Sequence, residues 1–268
     1  MEPGGLGQRA AGLLNLFLDL VFPPRCIGCG RVDHQICPQC RESIPWLEPP
    51  FCARCSRPVT IPEAASLDES EVLCEVCATE PLRLEGIRAV ADHAGVMRKA
   101  VHALKYEGQT SLARPLAALM VSATSKHGLY PVDGIVPVPL HPRRLRERGY
   151  NQATLIAREL ARTLSLPILE DALVRSRATK TQTQLSAAER RVNVVDAFTA
   201  EAAGLAGRSL LLVDDVCTTG STLQACADAL RGAGASSVYA LTLTRAHWDA
   251  ATGVAQDGDA GRAKRFSS

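Results

Sequence analysis

Four cysteine pairs of one spacing, CIGC, CPQC, CARC and CEVC, place Cys26 with Cys29, Cys37 with Cys40, Cys52 with Cys55 and Cys74 with Cys77. No other feature restricts the N-terminal third of the chain so tightly. Two cysteines separated by two residues form a knuckle that presents both thiolates to one metal ion. Four knuckles supply enough ligands for two tetrahedral zinc sites. Disulfides are the competing use of an even cysteine count, and a reducing cytosol disfavours them. All-thiolate sites leave no open coordination position, so both zinc ions are expected to be structural. In sequence order, Cys26, Cys29, Cys37 and Cys40 hold one ion, and Cys52, Cys55, Cys74 and Cys77 hold the other. A crossed pairing satisfies the same spacing. The acidic segment from 58 to 73 is poor in large apolar residues and reads as a loop. Residues 23–80 carry too little apolar material to fold without metal.

Ahead of the cysteines, LLNLFLDLVF (13–22) is too short to span a bilayer and contains Asp19. It lacks a small-residue cleavage site, so it is a poor signal peptide and reads as an amphipathic helix within 1–22. With no membrane span, a cytoplasmic location is expected. Lysine plus arginine number 30 against 28 aspartates and glutamates, which excludes a globally basic nucleic-acid binder but leaves local patches open. Five Phe, four Tyr and two Trp are too few for an extended base-stacking platform.

From residue 81 the pattern changes to alternating strand-like and helix-like stretches. That alternation predicts an α/β fold around a mostly parallel sheet, over 81–247. GIRAVADH (86–93), GIVPVP (134–139) and SVYALTLTR (237–245) read as strands. VMRKAVHALKY (96–106), LARPLAALMVSA (112–123), NQATLIARELARTL (151–164) and TLQACADALRGAGA (222–235) read as helices. The tail over 248–268, rich in Ala, Gly and charge, is expected to be disordered.

The stretch LLLVDDVCTTGSTL (210–223) carries the most chemistry. Leu210 to Val213 form a buried strand, which puts Asp214 and Asp215 at its carboxyl edge, where open α/β sheets bind their ligands. The loop Cys217-Thr218-Thr219-Gly220-Ser221 then enters a helix whose first N–H groups make an anion site. Gly220 lets backbone approach the anion, and the hydroxyls add donors. Two carboxylates beside an anion site would repel the anion, so they serve something else. They suit a vicinal diol, with or without a bridging Mg²⁺. A phosphate on one side and a diol on the other describe a ribose 5-phosphate.

LLLVDDVCTTGST resembles the phosphoribosyl pyrophosphate (PRPP) signature of type I phosphoribosyltransferases. The resemblance implies that Asp214 and Asp215 hold the ribose hydroxyls while Thr218, Thr219, Gly220, Ser221 and Thr222 wrap the 5-phosphate. ALKYEG (103–108), VPVPLHPRRLRERGYNQ (136–152) and LVRSRATKTQTQLSAAERRVNVVDAF (173–198), behind cysteine pairs, resemble the ComF family of competence-associated proteins in its double zinc ribbon form. This likeness extends from 13 to about 245. It implies a type I phosphoribosyltransferase fold, PRPP or a related ribose phosphate as ligand with Mg²⁺, and a role in uptake or use of extracellular DNA. Single-stranded DNA and other DNA-uptake proteins are the partners it implies.

Ribosyl transfer passes through an oxocarbenium-like state as pyrophosphate leaves, and it needs cations rather than a covalent nucleophile. No catalytic residue is assigned. Arg143, Arg144, Arg146 and Arg148, read as a loop after the strand Ile135–Val138, are candidates for pyrophosphate or for a DNA backbone, as are His141 and Lys105. Residues 175–191 read either as a lid over the ligand or as a DNA-contacting loop. His34, His93, His102 and His127 lack partner motifs, and Cys217 and Cys226 read as small apolar fillers, with Cys217 open to exposure in the loop. Two functions stay in play: a transferase moving a phosphoribosyl group, and a DNA- or partner-binding module with a sensing or vestigial pocket.

Overall fold

The computed structural model describes residues 23–61, 72–127, 131–175, 197–201, 203–248 and 255–256. The second pair of each cysteine set opens a short helix: α1 (Pro38–Glu42) follows Cys37, and α2 (Glu75–Thr79) follows Cys74. The chain then runs through β1 (Gly86–Asp92), α3 (Gly95–Tyr106), α4 (Ala113–His127) and β2 (Gly134–Pro137). Next come α5 (Pro142–Arg148), α6 (Gln152–Leu164), β3 (Leu173–Arg175) and β4 (Phe198–Ala200). β5 (Ser209–Cys217), α7 (Ser221–Gly232) and β6 (Ser237–Arg245) complete the main body. Two short strands, β7 (His247–Trp248) and β8 (Ala255–Gln256), pair beyond it.

The sheet has the order β1-β6-β5-β2 and every neighbouring pair is parallel. β5 lies inside it, covered on both faces, which is why its sequence is a continuous apolar run rather than an alternating one. Successive side chains still point to opposite faces. Leu211 and Val213 join Met97, Leu104, Leu116, Met120, Ile156 and Leu160 from α3, α4 and α6. Leu210 and Leu212 meet Leu223, Cys226 and Leu230 of α7. Each fully buried leucine of this kind contributes about 1.5–3 kcal/mol.

Both sheet edges are covered, which removes the hazard of open strand edges. Along β1, Leu47 N–H donates to the Val90 carbonyl at 3.1 Å and Asp92 N–H to the Pro45 carbonyl at 2.8 Å, while Trp46 bridges Ala91. The link between the two cysteine clusters is therefore an added antiparallel strip on the sheet. Along β2, Ile135 N–H donates to the Pro167 carbonyl and Leu169 N–H to the Ile135 carbonyl.

The expected α/β sheet is present, as are the four helices expected beyond residue 81. One expected loop is not: the arginine segment after β2 is the helix α5, with Pro142 in its first turn and Gly149, at φ 82°, closing it. It escaped the periodicity reading because it is a solvated helix with no apolar stripe. β5 also runs further than expected. Asp214 pairs with Thr242 and Cys217 with Arg245, so both aspartates belong to the strand itself. No helix among the described residues is long and apolar enough to cross a membrane. The expected helix within 1–22, the centre of the 58–73 loop, residues 176–191 and most of the 248–268 tail lie outside the described residues.

Candidate functional site

The cysteines gather in sequence order, one cluster from Cys26, Cys29, Cys37 and Cys40 and the other from Cys52, Cys55, Cys74 and Cys77, with all ligand atoms of a cluster within 4.8 Å of one another. The crossed pairing is thereby excluded. A tetrahedral zinc with Zn–S bonds of about 2.3 Å has S···S edges of about 3.8 Å. Cys29 and Cys37 sulfurs stand 3.7 Å apart, and so do those of Cys55 and Cys74. Those separations fit a shared zinc and are far too long for a disulfide. In the first cluster burial opposes ionisation of Cys26, yet backbone N–H groups of Cys37, Cys29 and Gly28 pull its thiol down to about 6. Burial and the neighbouring sulfurs push Cys40 up to about 12. Four thiols competing for one set of donors resist a common charge, and a divalent cation among them removes that conflict.

At the carboxyl edge of the sheet the two aspartates have different surroundings. Asp215 is 3 % exposed and forms an ion pair with Lys105 from the last turn of α3. Gln152, itself buried at the start of α6, donates Nε2 to Asp215 Oδ1 at 3.3 Å. Burial alone would raise this carboxyl, but the Lys105 ammonium, the Asp214 carboxyl and the Gln152 amide hold it below the usual carboxylate range. Asp214 accepts the backbone N–H of Asp215 at 2.9 Å. Burial first, and the Asp215 charge second, push its carboxyl well above the usual range. One carboxylate is fixed and charged, and its neighbour is poised to take a proton, a hydroxyl or a cation.

The loop after β5 is held by its own hydroxyls. Thr219 Oγ1 lies 2.8 Å from Ser221 Oγ and accepts the Ser221 backbone N–H at 3.3 Å. Gly220 has φ 84°, a left-handed value that glycine adopts without strain. A Cβ at this position would lie 3.2 Å from Ile87 Cδ1. Thr218 and Thr222 are partly exposed at the same turn. Cys217, by contrast, is 1 % exposed, which settles its place as a packed residue beneath the loop.

The basic candidates separate. Lys105 is committed to Asp215. His141 caps α5, its Nδ1 accepting Arg143 N–H at 3.2 Å. Arg143 reaches along the helix to Glu147 at 2.8 Å, and both side chains are exposed. Arg148 turns inward: its Nη1 donates to Gln152 Oε1, and its guanidinium lies 5.3 Å from the centre of the Tyr106 ring. A polar chain therefore runs from Arg148 through Gln152 and Asp215 to Lys105. The turn after α5 is pinned by Tyr150, whose hydroxyl donates to the Leu104 carbonyl at 2.6 Å, and by Asn151, whose amide donates to the Val138 carbonyl at 3.0 Å.

Three polar residues near the site were not singled out from sequence. Gln152 is the buried link just described. Arg175 is 9 % exposed over the Phe198 ring, and burial, then Arg144, lower its guanidinium. Arg245 is 3 % exposed and donates to Cys217 Sγ at 3.2 Å. An arginine closing an otherwise uncharged strand is the available signal for Arg245. Among the set-aside histidines, His93 meets Thr244 at 2.9 Å and His102 meets Glu107 at 3.0 Å.

Residues 17–78 match the double zinc ribbon domain family, and residues 148–253 match the phosphoribosyl transferase domain family. The chain is 34 % identical over 224 residues to the DNA utilization protein YhgH of Escherichia coli O157:H7, covering 82 % of this chain and 88 % of that one. It is 31 % identical over 235 residues to competence protein F of Haemophilus influenzae, covering 84 % of this chain and 98 % of the relative. With competence protein ComFC of Bacillus subtilis the identity is 30 % over 222 residues, covering 80 % and 86 %.

Proposed function

The chain belongs to the ComF family, a double zinc ribbon joined to a phosphoribosyltransferase domain, and from that premise we propose that its sheet edge binds PRPP or a related ribose phosphate with Mg²⁺. The observation that carries this reading is the unequal pair at the end of β5. Asp215 is already neutralised from inside the protein by Lys105, whereas Asp214 is half-buried beside the hydroxyl loop. Asp214 then takes the ribose hydroxyls, and Thr218, Thr219, Ser221 and Thr222 meet the 5-phosphate at the start of α7. The dipole of a three-turn helix and its first N–H groups favour that anion.

Mg²⁺, when bound, offsets the charge of departing pyrophosphate; Asp214 and the oxygens of the ligand are the hard donors for it here. Arg143 and Arg144 of α5 supply the remaining positive charge. Arg148 and Gln152 act indirectly, by fixing Asp215. The relatives named for competence and DNA utilization support a role in uptake or use of DNA. The exposed arginines of α5 also suit a single-stranded DNA backbone, which keeps a non-catalytic binding module as the second reading.

Titration calorimetry with PRPP and with ribose 5-phosphate, each with and without Mg²⁺, tests the proposal. Binding of both, with PRPP favoured by Mg²⁺, is expected. Heat from neither sugar phosphate at millimolar concentration would remove the ligand reading and leave DNA as the ligand to pursue.

A further inference from the structure

The two cysteine clusters are not equivalent in where they attach. The knuckle of Cys52 and Cys55, with Ser56 directly after it, grips one residue of β1 from both sides: Ile87 N–H donates to the Arg54 carbonyl at 2.7 Å, and Ser56 Oγ donates to the Ile87 carbonyl at 2.9 Å. Ser56 is 1 % exposed and sits at φ 56°, so the knuckle holds a strained residue in place for this contact. Ile87 in turn is 1 % exposed, and its Cδ1 fills the space beside Gly220. At the other end of the same loop, Arg245 donates to Cys217 Sγ, and Ala246 N–H donates to the Cys217 carbonyl at 2.9 Å. The Arg245 guanidinium also lies in the field of Cys217, Cys55, Cys74 and Cys77. A zinc ion held by four thiolates carries a net charge of about −2, which needs a cation nearby when it is buried.

The first cluster is attached elsewhere. A Cβ at Gly28 would meet Cys40 Sγ at 2.5 Å and Val96 Cγ2 at 3.1 Å, and Lys99 Nζ donates to the Gly28 carbonyl at 3.2 Å. Val96 and Lys99 belong to α3. Cys29 is exposed, so water screens part of this cluster's charge.

We propose that the second cluster is built into the loop 217–220 that the proposed ligand's phosphate would use, with Ile87 and Arg245 as the positioning residues that join them, while the first cluster serves only the ribbon and α3. Metal in the second site fixes the knuckle, the knuckle fixes Ile87, and Ile87 sets the space in which Gly220 turns into α7. Arg245 ties the charge of the same site to the residue that begins the loop. The ligand half of this inference rests on the sugar-phosphate reading; the coupling of cluster to loop does not.

The test uses the full chain with Cys77→Ser against Cys29→Ser. Backbone amide exchange over 217–223 is read by mass spectrometry without ligand, and PRPP affinity is read by calorimetry. Cys77→Ser is expected to speed exchange in the loop and to weaken PRPP by about tenfold, in the range of couplings between contacting elements, while Cys29→Ser moves neither by more than about twofold. Ile87→Val removes only Cδ1, and so covers the case in which Cys77→Ser does not fold. It should loosen the loop with zinc content unchanged. Arg245→Met should speed loss of one zinc to a chelator, and Arg245→Lys should restore most of that retention by restoring the charge. Equal responses to both cysteine changes, or an Ile87→Val loop that exchanges like wild type, would overturn the coupling. Loop exchange that follows the cluster in a protein that ignores PRPP would uphold the coupling and overturn the ligand.

Discussion

Lys105, partly exposed, and Asp215, buried, form an ion pair across two elements, the last turn of α3 and the end of β5. The aspartate is 3 % exposed, so its charge depends on this partner and on Gln152. Its neighbour Asp214 is only partly buried and accepts the Asp215 backbone N–H, and in the proposed function it is the carboxylate that meets the ligand.

Lys105→Met should cost about 3–5 kcal/mol of stability, because it strands a buried carboxylate. Asp215→Asn added to it should recover most of the loss. Denaturant unfolding of the single and double variants checks this. A surface lysine reserved for phosphate would instead show a stability change within about 0.5 kcal/mol and a loss confined to affinity.

Asp214 and Asp215 should oppose each other in pH dependence. Asp215, held low, stabilises the fold above the ordinary carboxylate range, and that stability is lost as pH falls through its depressed value. Asp214, held high, binds a proton in the folded state that the unfolded chain has already released. Stability therefore falls as pH rises from the ordinary carboxylate range to its raised value. Asp214→Asn should remove that fall, giving a ligand-free protein more stable than wild type near neutrality yet poor at binding sugar phosphate. Melting temperatures of both proteins from about pH 4 to pH 8 decide it; parallel curves would mean that Asp214 is already ionised.

The parts of this site that sequence reveals are those carried by local pattern. Leu210 to Val213 declare a strand buried on both faces, and Thr218 to Ser221 declare a turn rich in hydroxyls. The four cysteine pairs declare two clusters. Their pairing was open in the sequence because spacing alone does not say which knuckles fold together. The division of labour between Asp214 and Asp215 was equally hidden, since it depends on Lys105 and Gln152, which arrive from α3 and α6. Arg148 looked like its neighbours in HPRRLRERGYNQ. Only the left-handed turn at Gly149 and the face of α5 send it inward to Gln152 while Arg143 stays in solvent.

Metal analysis of purified protein should give close to two zinc ions per chain, one for each four-cysteine cluster. Acidification should release them as protons compete for the thiolates, and chelation should unfold the ribbons, whose apolar content is too small to hold them. A single zinc per chain would show that one cluster is a thiol site without metal.

Gly220→Ala should destabilise for two separable reasons. The left-handed backbone at φ 84° costs a residue with a Cβ about 1–2 kcal/mol. The new Cβ would also sit 3.2 Å from Ile87 Cδ1. Ile87→Val deletes that atom, so the double variant should regain the crowding part and keep the backbone part. Full additivity in thermal unfolding would show that the two side chains do not meet.

The arginines of α5 give the sharpest division between a sugar-phosphate protein and a DNA-binding one. Arg143 is exposed and, among the described residues, its side chain is tied to Glu147 of its own helix, so it can turn to an incoming anion at little cost. Arg148 is occupied by Gln152 and the Tyr106 ring, and through Gln152 it reaches Asp215. If α5 tracks a single-stranded DNA backbone, Arg143→Gln should reduce the slope of log affinity against log salt by about 0.7. Arg148→Gln should then act mainly on PRPP, because it loosens the amide that fixes the buried carboxylate. Fluorescence anisotropy across a salt series, set beside PRPP calorimetry on the same variants, separates the two roles. A salt slope unchanged by Arg143→Gln, with PRPP affinity lost, assigns Arg143 to pyrophosphate. The reverse result assigns it to DNA and leaves Arg144 as the α5 cation for the leaving group.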